Sequence, residues 1–390
     1  MSPMVLSVII VNFNAKYFLE QCLYSLRKAI LVGARELGSL QTEIFVLDNH
    51  STDGSLEYLK PLFPEVNFWA NKENLGFARA NNLALASAVG HFVLFLNPDI
   101  ILTEDCLAAG VKALSANKRI GALGFRMVDG RGRFLRESKR GYPHPWRAFC
   151  KSTGLSAIFP SSRAFAGYYQ GQLKEKENGP CEVLSGAFFL ARKEVLDQEK
   201  GFDERFFMYG EDIDLSYRIR KKGFENHYLG QTTIIHFKGE STTKDLRYVW
   251  RFYLAMAQFV GKNQRGKLRW ITIPLLCAGI FIRGLAAALV TGLFSKPSKK
   301  FRPFQTACIG DQTSAAVLKR QLPFVDRVCI DEVHKAEEII LCEGAQYSYQ
   351  QIIGDIQRLG RSVAIRIHAG QSRSFVGSDR KNHPGQTIAW

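Results

Sequence analysis

Apolar residues along the first hundred positions fall into short β-branched runs separated by stretches of helical spacing. The runs 6–11, 43–47, 66–70 and 92–96 predict strands, while 15–30, the stretch after Gly54 and 76–89 predict helices. Regular alternation of the two predicts an α/β fold with a mainly parallel, doubly wound sheet and right-handed crossovers. Such sheets bind ligands at the carboxyl ends of their strands. Polar residues collect at those ends: Asn12 and Asn14 after the first run, Asp48, Ser51 and Asp53 after the second, Asn97 and Asp99 after the fourth.

From Gly124 to Pro180 the periodicity lapses, which predicts a long loop or flap carrying Arg131, Arg133, Arg136, Lys139 and Arg140. A second apolar run, 181–191, reads as a core strand. Shortly after it, Glu211, Asp212 and Asp214 crowd the start of a basic helix. Carboxylates there offset the helix dipole, and Asp214 can pair with Arg218 one turn on. Residues 304–390 carry their own α/β pattern, with strands at 306–309, 325–330, 338–341 and 362–367 and helices ending near Leu322 and Leu359. The chain therefore divides into an α/β domain at 1–245, a segment at 246–303, and a small Rossmann-like unit at 304–390.

Composition adds one decisive feature. With 46% apolar and 23% charged residues the chain is neither disordered nor a polytopic membrane protein. Its net charge of +16 is concentrated: residues 241–303 hold twelve Lys or Arg against one acid, Asp245. They enclose residues 271–294, whose only charge is Arg283. That length suffices for one span of roughly 20 residues. Arg283, Pro274, three interrupting glycines and basic flanks on both sides instead favour a helix that lies in, or re-enters, an anionic leaflet, with a buried core helix as the alternative. The charge brackets an apolar block and does not interleave with aromatics, which disfavours nucleic acid as a partner. Eight scattered cysteines, without C-x-x-C or metal-ligand spacing, read as reduced thiols. Residues 5–11 lack the flanks of a signal peptide, and no G-x-G-x-x-G accompanies either α/β unit, which disfavours a dinucleotide oxidoreductase.

Seven motifs occur in order: Val8-Ile9-Ile10-Val11-Asn12-Phe13-Asn14, Asp48-Asn49-His50-Ser51-Thr52-Asp53-Gly54, Asn74-Leu75-Gly76-Phe77-Ala78-Arg79, Asn97-Pro98-Asp99, Gly201-Phe202-Asp203, the Glu211 to Asp214 cluster, and His236-Phe237-Lys238-Gly239-Glu240. Together they resemble family 2 glycosyltransferases of the GT-A fold, most of all the rhamnosyltransferase branch, over residues 5 to about 245. The resemblance implies an inverting transferase that moves a sugar from a dTDP- or UDP-linked donor to a lipid-linked or polysaccharide acceptor at the cytoplasmic face of the membrane. It implies nucleotide contacts from Asn12, Asn14, Asp48, Ser51, Asn74, Gly76, Arg79 and Asn97, with Asp48 reading the pyrimidine. Asp99 takes the last position of the family's D-x-D motif, and Asn97 replaces its first Asp. His236 matches a second metal ligand, so a divalent Mn or Mg is expected at Asp99 and His236. Asp212 aligns with the general base and Glu211 is expected beside the acceptor. The alternative is a degenerate, membrane-associated transferase that binds nucleotide without turnover.

Overall fold

The computed structural model describes residues 5–144, 146–147, 150, 153–237, 246–263, 306–322, 325–327, 336, 338–359, 363–377 and 386–389. Residues 264–305, which include the apolar stretch 271–294, lie outside the described residues, as do 238–240 of the last motif. No described helix is long and apolar enough to cross a membrane.

The chain starts β1 (Val5–Asn12), α1 (Lys16–Leu37), β2 (Gln41–Asp48), α2 (Ser55–Leu59), β3 (Asn67–Ala70), α3 (Phe77–Leu85), β4 (Phe92–Leu96), β5 (Ile100–Ile101), α4 (Cys106–Ala116) and β6 (Ile120–Val128). Each strand is an apolar run because helices cover both faces of the sheet. One face packs Leu19, Leu23 and Leu26 of α1 and Leu107 and Val111 of α4 onto Leu6, Val8 and Ile10. The other packs Ala78, Ala80 and Ala84 of α3 onto Ile9, Phe45 and Phe95. α1 runs seven residues past the sequence expectation. Within it Gly33 is a close approach: a Cβ there would lie 3.0 Å from the Leu40 side chain and 3.8 Å from the Ala108 backbone. The helix stops at Gly38, in the left-handed region at φ 77°.

Next come β7 (Lys139–Arg140), α5 (Leu155–Ile158), β8 (Gly179–Cys181), β9 (Val183–Leu184), β10 (Phe188–Arg192), α6 (Lys193–Glu199), α7 (Glu211–Lys221), β11 (Glu225–His236) and α8 (Leu246–Asn263). Among the described residues the first sheet has nine strands, ordered β3-β2-β1-β4-β10-β6-β11-β5 with β8 on β11. Six run in one direction, and β5, β8 and β10 oppose them. The irregular region begins later than the sequence indicated. Residues 124–128 stay in β6, buried between β10 and β11, and the chain leaves the sheet only at Asp129, whose carboxylate accepts from the N–H groups of Arg131 and Arg133 at 3.0 Å each.

The C-terminal residues form a second sheet from β12 (Thr306–Gly310), β13 (Val325–Arg327), β14 (Glu338–Cys342), β15 (Ala364–His368), β16 (Ser374–Gly377) and β17 (Gln386–Ala389), ordered β13-β12-β14-β15-β16-β17. Among the described residues it also has two helices, α9 (Gln312–Gln321) and α10 (Tyr349–Leu359). β16 and β17, both antiparallel, carry no signal that the sequence reading used. The unit has its own sheet but shares a core with the first domain: Phe18, Ile101, Ile235 and Phe237 pack with Ile339, Leu341, Tyr349 and Ile352. Polar bonds reinforce the seam. Fully buried Gln21 of α1 donates to the Ser374 carbonyl at 3.0 Å and accepts from the Ala369 N–H at 2.8 Å. Glu104 accepts from the N–H groups of Tyr349 and Gln350 and so satisfies two first-turn donors of α10 that have no partner within the helix.

Candidate functional site

The carboxyl ends of β1, β2 and β4, the start of β10 and the end of β11 converge on one edge of the large sheet. On its outer side Asn12, Asn14, Asp48 and Ser51 form one hydrogen-bonded cluster. Asn12 Nδ2 donates to Asp48 Oδ1 at 2.8 Å and to Ser51 Oγ at 3.2 Å, the Ser51 N–H donates to Asp48 Oδ2 at 2.9 Å, and the Asn14 N–H donates to Ser51 Oγ at 2.9 Å. Asn12 is fully buried, and its Oδ1 has no partner among the described residues. Asn14 and His50 both sit at positive φ, 51° and 66°. Such backbone is uncommon outside glycine and marks loops held in place by their surroundings. Asp53 accepts from the N–H of Lys16 at the start of α1 and from that of Ser55 at 3.0 Å each, so its work is structural.

The second group is the turn into α3. Asn74 Oδ1 accepts from the Gly76 N–H at 2.9 Å, and buried Asn49, which the sequence reading passed over, donates to the Gly76 carbonyl at 3.0 Å. Gly76 has φ 77° and ψ −179°, and a Cβ there would lie 2.4 Å from the Phe207 carbonyl oxygen. Only glycine fits. Arg79 is exposed on the first turn of α3. Asn82, one turn on, is structural: its amide bonds both the N–H and the carbonyl of Phe202.

The third group is Asp99 with His236. β5 pairs with the end of β11, His236 opposite Ile100, and this register sets His236 Nε2 3.4 Å from Asp99 Oδ1. Both are buried, and His236 Nδ1 has no partner among the described residues. A buried imidazole nitrogen without a partner, next to a buried carboxylate, is a donor set that suits Mn²⁺ or Mg²⁺. No cluster of three or more His, Cys, Asp or Glu gathers there among the described residues. Asn97, at the end of β4, is tied by its backbone: its N–H donates to the Ala187 carbonyl at 2.9 Å.

That bond leads to the fourth group. One residue before Ala187, the Gly186 N–H donates to Asp212 Oδ2 at 3.1 Å. Asp212 also forms a salt bridge with Arg140 of β7, both side chains being almost buried. Its Oδ1 accepts from the N–H of Ile213 at 2.8 Å. Arg140 lies in the basic stretch read from the sequence, but its partner 72 residues away was not legible there. Glu211 is buried at 6% exposure, and Oε2 has no partner among the described residues. Burial, with the Asp212 charge adding to it, pushes its carboxyl up to about 8. Asp214 is fully buried, paired with Arg218 at 2.7 Å as its spacing foretold and with Lys262 of α8 at 2.7 Å. α8 thereby docks on the helix that carries the acids, through Ala255, Met256 and Phe259 against Phe206 and Ile213.

The chain is similar to several known proteins. The structure of S. aureus TarS 1–349 in complex with UDP-GlcNAc is 18% identical over 75% of this chain and 77% of that one, with a TM-score of 0.46. The N-acetylglucosaminyl-diphospho-decaprenol L-rhamnosyltransferase of Mycobacterium tuberculosis is 31% identical over 256 residues, 62% of this chain and 78% of that protein. Rhamnosyltransferase WbbL of Escherichia coli K12 is 27% identical over 189 residues, 46% of this chain and 67% of its own. The model for Glycosyl transferase family 2 matches residues 7–199, a span that holds the Asp48 cluster, the Gly76 turn and Asp99. On the similarity to these relatives and the family match, the chain is a glycosyltransferase and belongs to family 2.

Proposed function

We propose that the protein transfers a sugar, rhamnose being the first candidate, from a dTDP- or UDP-linked donor to a lipid-linked glycan acceptor, with inversion, at the cytoplasmic face of the cell membrane. The observation that carries this reading is the convergence on one sheet edge of an Asn–Asp–Ser cluster, a carboxylate–imidazole pair and a buried, oriented carboxylate. The similarity to an enzyme named for a diphospho-decaprenol acceptor supports the acceptor class.

In this reading Asn12, Asp48 and Ser51 meet the pyrimidine and ribose, Asn14 holds their loop, and the N–H groups at the start of α3 with Arg79 meet the diphosphate. Asn97 completes the donor side. Asp99 and His236 would hold Mn²⁺ or Mg²⁺, which when bound neutralises charge on the diphosphate. Asp212 accepts the proton of the acceptor hydroxyl as that oxygen attacks the anomeric carbon, and the diphosphate departs from the opposite face. Its Oδ2 is held by Arg140 and by the Gly186 N–H, so the carboxylate meets the acceptor in a fixed orientation. Glu211, protonated at neutral pH because of its burial, donates a hydrogen bond to the acceptor without competing for that proton.

The deciding experiment is Asp212→Asn, assayed for transfer and for donor-induced thermal stabilisation. Lost transfer with retained stabilisation supports the reading. Retained transfer sinks it, and a wild type that binds donor but never turns over leaves the degenerate binder.

A further inference from the structure

The flap between β6 and β8 ends in a surface that the transfer chemistry does not use. Ala157, Ile158, Phe159 and Pro160 are exposed in succession, Ile158 at 67% and Phe159 at 48%. Trp146, 46% exposed, joins them through Phe165: its ring lies 6.1 Å from that of Phe165, which lies 5.3 Å from Phe159. The indole N–H is already satisfied by the Ala164 carbonyl at 3.0 Å, so what Trp146 presents outward is apolar. Single exposed apolar residues are ordinary, whereas a run of four beside an aromatic cluster is a binding surface.

Charge and connection narrow the occupant. Residues 131–177 hold ten Lys or Arg against three acids. Arg140 and Arg147 are spent internally on Asp212 and Glu182, while Arg136, Arg163, Lys174 and Lys176 face solvent. An apolar tip within a chain segment of strong net positive charge suits the boundary of an anionic bilayer. The base of the flap also meets the helix from which the chain continues toward 271–294. Tyr142 stacks on Phe259 of α8 at 6.4 Å and meets Tyr217 of α7 edge-on at 5.3 Å.

We propose that this tip, built from Trp146, residues 157–160 and Phe165, docks on an anionic lipid surface and so presents Asp212 to an acceptor head group. The proposal rests on the lipid-linked acceptor put forward above.

The test uses the full chain with vesicles of phosphatidylcholine, with or without phosphatidylglycerol. Amide exchange over 153–166 should slow with the anionic vesicles alone, and Ile158→Asp with Phe159→Asp should remove that protection with an unchanged melting temperature. Transfer to N-acetylglucosaminyl-diphospho-decaprenol in those vesicles should fall about tenfold or more in the double variant. Transfer to the same head group on a short, water-soluble prenyl chain should stay at the wild-type rate. Unchanged exchange at 153–166 in a wild type that uses the vesicle acceptor overturns the docking alone. A wild type inactive on both acceptors overturns the acceptor reading instead. Protection that follows protein concentration without vesicles assigns the tip to a second copy, and overturns the proposal.

Discussion

The proposed donor and acceptor sides of the site are built differently. On the donor side, the Asn12–Asp48–Ser51 cluster closes between neighbouring parallel strands, and every partner lies in a motif at a strand end. On the acceptor side, Asp212 is held by Arg140 from a flap strand and by Gly186 from the turn into β10, partners 72 and 26 residues away. As proposed, donor recognition therefore rests on the sheet. The proposed base depends also on how the flap is seated.

Metal removal should have the largest effect and fall on both sides at once: chelation should bring transfer to background, and added Mn²⁺ or Mg²⁺ should restore it. Transfer that persists in EDTA would remove the roles given to Asp99 and His236. Asp212→Asn should lower kcat by roughly 10² to 10⁴ while leaving the donor KM in place. Asp48→Ala should show the converse, a donor KM raised about tenfold for loss of one charge-assisted contact, with kcat at saturation unchanged. If both variants lower kcat alike, the two sides are one unit and the contrast fails.

The smallest effect tests the buried acid. Glu211 has its folded-state value raised from 4.5 to about 8. Between those values the folded protein holds a proton that the unfolded chain has lost, so this residue's contribution to stability is greatest below pH 4.5 and is lost as pH rises through 8. Glu211→Gln should accordingly melt a few degrees above wild type at pH 9 and close to it at pH 5. An equal difference at both pH values would mean that the carboxyl titrates normally.

β1 to β4 and α1 to α3 were legible because a sheet covered on both faces writes each strand as an apolar run, whereas β5, β6, β11 and α4 were not read from the sequence. Asp214 with Arg218 was legible because helical spacing alone brings them together. Asn49 was hidden among turn formers, although it braces the Gly76 turn from within the same motif as Asp48.

By itself, then, the sequence determined the alternating α/β order, the placing of polar residues at the strand ends, and the local pairs, all of which follow from periods of two and 3.6 residues. Only the tertiary structure decided that Arg140 grips Asp212, that β5 brings Asp99 to His236, and that the C-terminal unit shares a core with β5 and β11. Each of these joins segments distant along the chain, where strand order and sheet register, which no local spacing encodes, decide which side chains meet.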